Sequence, residues 1–165
     1  MVPTPRKPVG GIRRVLLCEA GAVQQVLLDD AGRCSGIVLR PGAGSLELPL
    51  IEEQSCYTEE CTADRGPAAV RHRLQVGLSH WQGRALFDAA FLARAATGGF
   101  VARIETLDGG GLLAGWSPRL GLEQPLRLEK LRYTSGTRRA DAPAAVLTLG
   151  CDDEAPATEW IPSAS

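Results

Sequence analysis

Two histidines, five cysteines and two pairs of adjacent glutamates are the side chains here whose types and spacing suggest chemistry. Cys56 and Cys61, in the run Cys56-Tyr57-Thr58-Glu59-Glu60-Cys61, would bind zinc if His72 or His80 completed the set. A C-x4-C spacing with no second cysteine pair nearby does not match the structural zinc patterns, and on a strand the two thiols would point to opposite faces. They read as ordinary thiols. His72 would serve as a general base only with a nucleophile in hydrogen-bond reach, and nothing local supplies one. It falls in the apolar phase of a strand and reads as a core histidine with one satisfied nitrogen. His80, at a helix start, reads as a surface or capping residue. Glu52-Glu53 and Glu59-Glu60 read as solvated charges guarding a sheet edge rather than as an acid–base pair. Asp108-Gly109-Gly110-Gly111 lacks the lysine and serine or threonine of a phosphate loop and leads into a strand, so it is a turn. Ser135-Gly136-Thr137-Arg138-Arg139 has no aromatic platform beside it and reads as a loop. No catalytic set, cofactor site or metal site emerges, and the reading is of a non-enzyme.

The elements that must position these residues are mostly strands. Val70, His72, Leu74, Val76 and Leu78 alternate with Arg71, Arg73, Gln75 and Gly77, the clearest period-two segment of the chain. Shorter runs at residues 12–18, 23–28, 37–39, 45–50, 100–107, 112–116, 126–133 and 144–149 also read as strands. Residues 52–60 read as a long acidic edge strand, and Pro49 marks an edge or strand end. Turns are expected at residues 29–32, 41–44, 63–67 and 108–111. One segment breaks the pattern. Residues 80–97 have helical periodicity, with Leu86, Ala89, Ala90 and Ala93 on one stripe widened by Phe87 and Phe91. Ser79 is the expected N-cap and Gly98 the expected C′ residue. Trp81 is expected in the core at the strand–helix junction. Trp160, near Ile161 and Pro162, is expected to dock on its own domain or on a neighbour. The predicted fold is mainly β, a two-sheet sandwich or barrel with one flanking helix at residues 80–97.

The chain has 165 residues and a net charge of −1, which implies one domain and no general attraction to polyanions. Residues 1–9 form a Pro-rich arm, 10–157 the domain and 158–165 a C-terminal tail. The start Met-Val-Pro-Thr-Pro-Arg-Lys-Pro lacks the apolar run of a signal peptide, and five cysteines cannot all pair within the chain. Both features predict free, mostly buried thiols. No apolar stretch approaches a membrane span.

Several segments together resemble a family of small phage-type tail proteins of Bacteroidetes phages and prophages. The resemblance starts at Gly10-Gly11-Ile12-Arg13-Arg14-Val15 and continues through the strand–helix unit at residues 72–99. It is best after that: Asp108-Gly109-Gly110-Gly111, Gly115, Gly121-Leu122, Ser135-Gly136-Thr137, Asp141, the strand at 146–149, and Asp153-Glu154-Ala155-Pro156-Ala157. It covers residues 10–157 as a pattern. After Asp141 the family tends to Asn-Gly, whereas this chain has Ala142-Pro143. Its cysteines and its arginine richness also depart from the family. The resemblance implies a tail-tube-like structural protein of the virion, made in the bacterial cytoplasm. Its subunits would form stacked homo-oligomeric rings through sheets continuous between copies. Its other partners would be further tail proteins, with DNA passing a lumen without sequence-specific binding. Residues 52–60 and 126–133 are expected to supply ring or lumen surface. The alternative is a small-ligand-binding β-barrel, which requires an apolar cavity.

Overall fold

The computed structural model describes residues 11–62, 69–140 and 144–162. The expected arm at 1–9, the turn at 63–67 and Ala142-Pro143 lie outside these residues.

Alternating sequence becomes strand wherever one phase can be buried. The described strands are β1 (Ile12–Glu19), β2 (Val23–Leu28), β3 (Cys34–Leu39), β4 (Leu46–Glu47), β5 (Cys56–Thr62), β6 (Ala69–Ser79), β7 (Phe100–Thr106), β8 (Gly111–Ala114), β9 (Arg127–Thr134), β10 (Ala144–Asp153) and β11 (Thr158–Glu159). They form a five-stranded sheet in the order β11-β8-β7-β1-β4, a four-stranded sheet β5-β6-β10-β9 and a hairpin β2-β3. The architecture is a mainly-β sandwich, and the sheets do not close into a barrel.

The two larger sheets share one core. Leu74, Val76 and Leu78 of β6 and Leu147 and Leu149 of β10 meet Val15 and Leu17 of β1 and Ile104 of β7. The opposite face of the five-stranded sheet carries a second core, in which Leu16, Cys18, Val101 and Leu113 pack with Cys34 of the hairpin and with Trp160. Trp160 therefore docks on its own domain. β1 and β7 are buried on both faces, so they read as continuous apolar runs rather than clean alternations.

The helical segment is two helices, α1 (His80–Leu86) and α2 (Ala89–Thr97), not one. Asp88 divides them. Its carboxylate accepts the backbone N–H of Phe91 at 2.8 Å and caps α2. Ser79 stands at the N-cap position of α1, but its hydroxyl bonds the Gln82 side chain and caps nothing. The break re-phases the apolar stripe. Phe87, Phe91 and Ala95 enter the inter-sheet core, while Ala89, Ala90 and Ala93 are exposed. The C-terminal stop also shifts by one residue. Gly98 is still right-handed, and Gly99 adopts the left-handed φ of +76° that glycine tolerates. Trp81 is 76% exposed, contrary to the core position expected for it. It lies on the face of α1 opposite the buried Gly83, whose Cα hydrogens face Ala145.

Residues 52–60 split as well. Glu52–Gln54 is a 3-10 turn, and the edge strand starts only at Cys56. The expected hairpin at 108–111 forms between β7 and β8. No described helix is long and apolar enough to cross a membrane.

Candidate functional site

The residues with chemical potential converge on one end of β5, β6 and β10. His72 is buried in β6 and directly opposite Cys151 of β10, with Glu59 of β5 on its other side. A cysteine therefore does lie beside His72, which no local sequence signal indicated. The two are nevertheless not hydrogen-bonded to each other. The His72 ring nitrogens are taken up by other groups: Nδ1 lies 2.8 Å from the Tyr57 hydroxyl and Nε2 lies 2.8 Å from the Ala155 carbonyl. Burial pushes the Cys151 thiol up to about 12, with the nearby Asp153 adding to the rise and Arg71 opposing it. A thiol this reluctant to ionise is a packing residue.

The hydrogens of this cluster can be assigned from its acceptors. The Ala155 carbonyl only accepts, so Nε2 carries a hydrogen. The Tyr57 hydroxyl donates to Glu59 Oε1 at 2.8 Å and lies 2.8 Å from Nδ1. The Tyr57 phenol thus lies between the His72 ring and the Glu59 side chain. Burial, and then the bond to Glu59, hold the Tyr57 phenol well above its ordinary value. Glu59 Oε1 also accepts the N–H of Ala157 at 2.8 Å. Glu59, exposed like Glu52, Glu53 and Glu60, is thus a tie between β5 and the segment after β10. Tyr57→Phe is expected to destabilise the fold by ~1–3 kcal/mol, because it strands a buried ring nitrogen. An unchanged urea midpoint would contradict that assignment.

The other candidate groups stay apart. Cys56 and Cys61 are exposed, unpaired, and opposite Gln75 and Val70, whose side chains lie on opposite faces of β6. Neither cysteine shares a cluster with His72, and His80 lies at the far end of β6. Among the described residues no group of histidine, cysteine and acidic side chains is placed to hold a metal ion. All five cysteines are free. The space between the large sheets is filled by Leu, Val and Phe side chains, which occupy the position of a ligand cavity. A polar cleft of about 510 Å³ lies beside Trp160, but Arg14 and Arg33 on its wall are paired with Glu47 and Asp29.

Backbone edges of the sheets also stay open among the described residues. The four-stranded sheet ends in two exposed strands, β5 and β9, while the five-stranded sheet ends in β11 and β4, each only two residues long. β5 (CYTEECT) carries two glutamates and no cation. β9 (RLEKLRYT) carries three cations and one glutamate. Between these edges, the outer face of the sheet is tied by Arg71 to Glu129 and to Asp152 (3.3 Å) and by Arg73 to Glu129 (3.1 Å).

The fold and these features define a sandwich protein whose exposed chemistry lies along two open, oppositely charged sheet edges. Compared with known proteins, the chain matches no family model, no curated protein and no solved structure.

Proposed function

We propose that this chain is a structural assembly subunit. Copies join head to tail, the β5 edge of one pairing with the β9 edge of the next, into rings that stack as the tube of a phage tail or tail-like injection device. In this reading the protein resides in the virion, its partners are its own copies and other tail proteins, and its work is geometric rather than catalytic.

The observation that carries the reading is the pairing potential of the two edges. Long open edges are a liability that soluble proteins blunt or cover. Here the charges repel β5 from β5 and β9 from β9, yet they attract β5 to β9. Strand direction agrees with this. β5, β6, β10 and β9 are antiparallel in turn, so β5 and β9 run in opposite senses and a rotated copy continues the sheet in antiparallel register. A heterologous contact of this kind closes into a ring when its rotation divides the circle. The resemblance to phage tail proteins supports the same reading.

Light scattering and negative-stain microscopy across a concentration series test the proposal. Rings or stacked tubes are expected, weakened by salt. Glu60→Lys alone and Lys130→Glu with Arg132→Glu are each expected to suppress assembly. An equimolar mixture of the two variants should recover mixed dimers, joined through the unaltered β9 edge of the first and the unaltered β5 edge of the second. A wild-type chain that stays monomeric at the highest attainable concentration overturns the reading.

A further inference from the structure

We infer that the cleft beside Trp160 binds a small zwitterion, a free amino acid with an apolar side chain, its carboxylate on Arg14 and Arg33 and its ammonium on Glu105. The cleft holds about 510 Å³, within the range of small-molecule sites. Arg14 of β1 and Glu105 of β7 stand directly opposite each other across the ladder. Unlike charges in that position ordinarily meet. Here they do not. Arg14 turns to Glu47 through Nε, and the ion pair of Glu105 is with Arg13, at 3.7 Å. That distance is too long for a hydrogen bond, although the Glu105 side chain is only 16% exposed. Both residues line the cleft, so it borders unlike charges that do not pair with each other.

The rest of the wall completes a dipolar site. Arg33 reaches the cleft from the turn before β3 and pairs with Asp29 through Nε at 3.0 Å. Both guanidiniums are thus held by their Nε sides, and their Nη groups stay available to a carboxylate, whose geometry matches the guanidinium fork. Glu105, with the exposed Glu159 also on the wall, opposes a simple anion such as phosphate. A ligand that brings a positive group as well meets both signs. Ile161 and Pro162, half-buried, add an apolar stretch for a hydrocarbon side chain. Trp160, beside them, has a buried indole N–H with no acceptor among the described residues. None of these groups lies on the β5 or β9 edge, so the inference stands apart from the assembly reading.

Titrating the isotope-labelled chain with L-leucine, and following its amide and indole resonances, tests the inference. L-Leucine is expected to bind saturably and to shift Glu105, Gly111 and the Trp160 indole N–H. Isocaproate, which lacks the ammonium, and isoamylamine, which lacks the carboxylate, should each bind at least ~tenfold more weakly. Glu105→Gln and Arg33→Gln should weaken L-leucine by a similar factor. Arg33→Gln keeps its turn, because Asp29 still accepts the backbone N–H groups of residues 31 and 33. A titration that does not saturate, shifts confined to other parts of the surface, a one-charge analogue that binds as tightly as L-leucine, or binding undiminished by Arg33→Gln overturns the inference. Rings or their absence in the wild type judge the assembly reading separately.

Discussion

Phe91→Ala is expected to cost about 3–5 kcal/mol of stability, a large share of the ~5–15 kcal/mol margin of a folded domain. Phe91 is 2% exposed and touches three parts of the fold. Its ring lies 4.9 Å from Phe87 at the helix break and stacks at 5.2 Å on Phe100, the first residue of β7. Its backbone N–H is the donor that Asp88 caps. Truncation leaves a cavity that neither sheet can fill, since both are fixed by their ladders. Ala90→Ser, one residue away on the exposed side, should change stability by less than ~0.5 kcal/mol. Urea titration of the two variants checks the pair. Equal midpoints would mean that Phe91 does not carry the packing of the helices.

Stability is also expected to fall steeply above about pH 9. Burial raises the Cys18 thiol from 9.0 to about 11, against the pull of Arg103, and the Cys151 thiol from 9.0 to about 12. In the unfolded chain both ionise near 9, while in the fold both keep their protons. Their contribution is therefore complete below pH 9 and is lost as pH rises towards 11 for Cys18 and 12 for Cys151. Each thiol costs up to ~1.4 kcal/mol per pH unit across its window. The Tyr57 phenol adds a loss of the same sign at higher pH. Urea unfolding at pH 8, 9 and 10 in the presence of a reductant measures the slope. Cys18→Ala combined with Cys151→Ala should be less stable at pH 8 yet flatter with pH. Parallel curves for variant and wild type would show that the thiols do not set the alkaline limit.

What the sequence revealed follows from how far each determinant reaches along the chain. β6 was legible because its burial code is local, every second residue from Val70 to Leu78, and the structure buries all five. The hairpin turn at Gly109 and the strand end at Pro49 were legible for the same reason. The helix phase was not. Phe87 and Asp88 interrupt a run whose composition looks continuous, and capping at Asp88 moves the buried face by part of a turn. Trp81 was misplaced because a large aromatic residue beside a strand predicts burial by type, and only tertiary packing decides otherwise. The His72–Tyr57–Glu59 arrangement was illegible because it depends on the register of β5 against β6 and on the position of Ala155, eighty-three residues from His72. The acidic character of residues 52–60 was visible, but not that β5 and the cationic β9 form the two edges of one sheet.

The strand order also bears on synthesis. β10 is an interior strand of the four-stranded sheet, flanked by β6 and β9, and Trp160 closes the second core behind β1 and β7. A nascent chain that has emerged only through β9 holds β6 with an open side and a second core that still lacks Trp160. Neither core is complete before residues 144–160 leave the ribosome. During that interval the same edges that are proposed to join finished copies are least protected. The acidic character of β5 and the basic character of β9 then keep identical strands of neighbouring nascent chains from pairing.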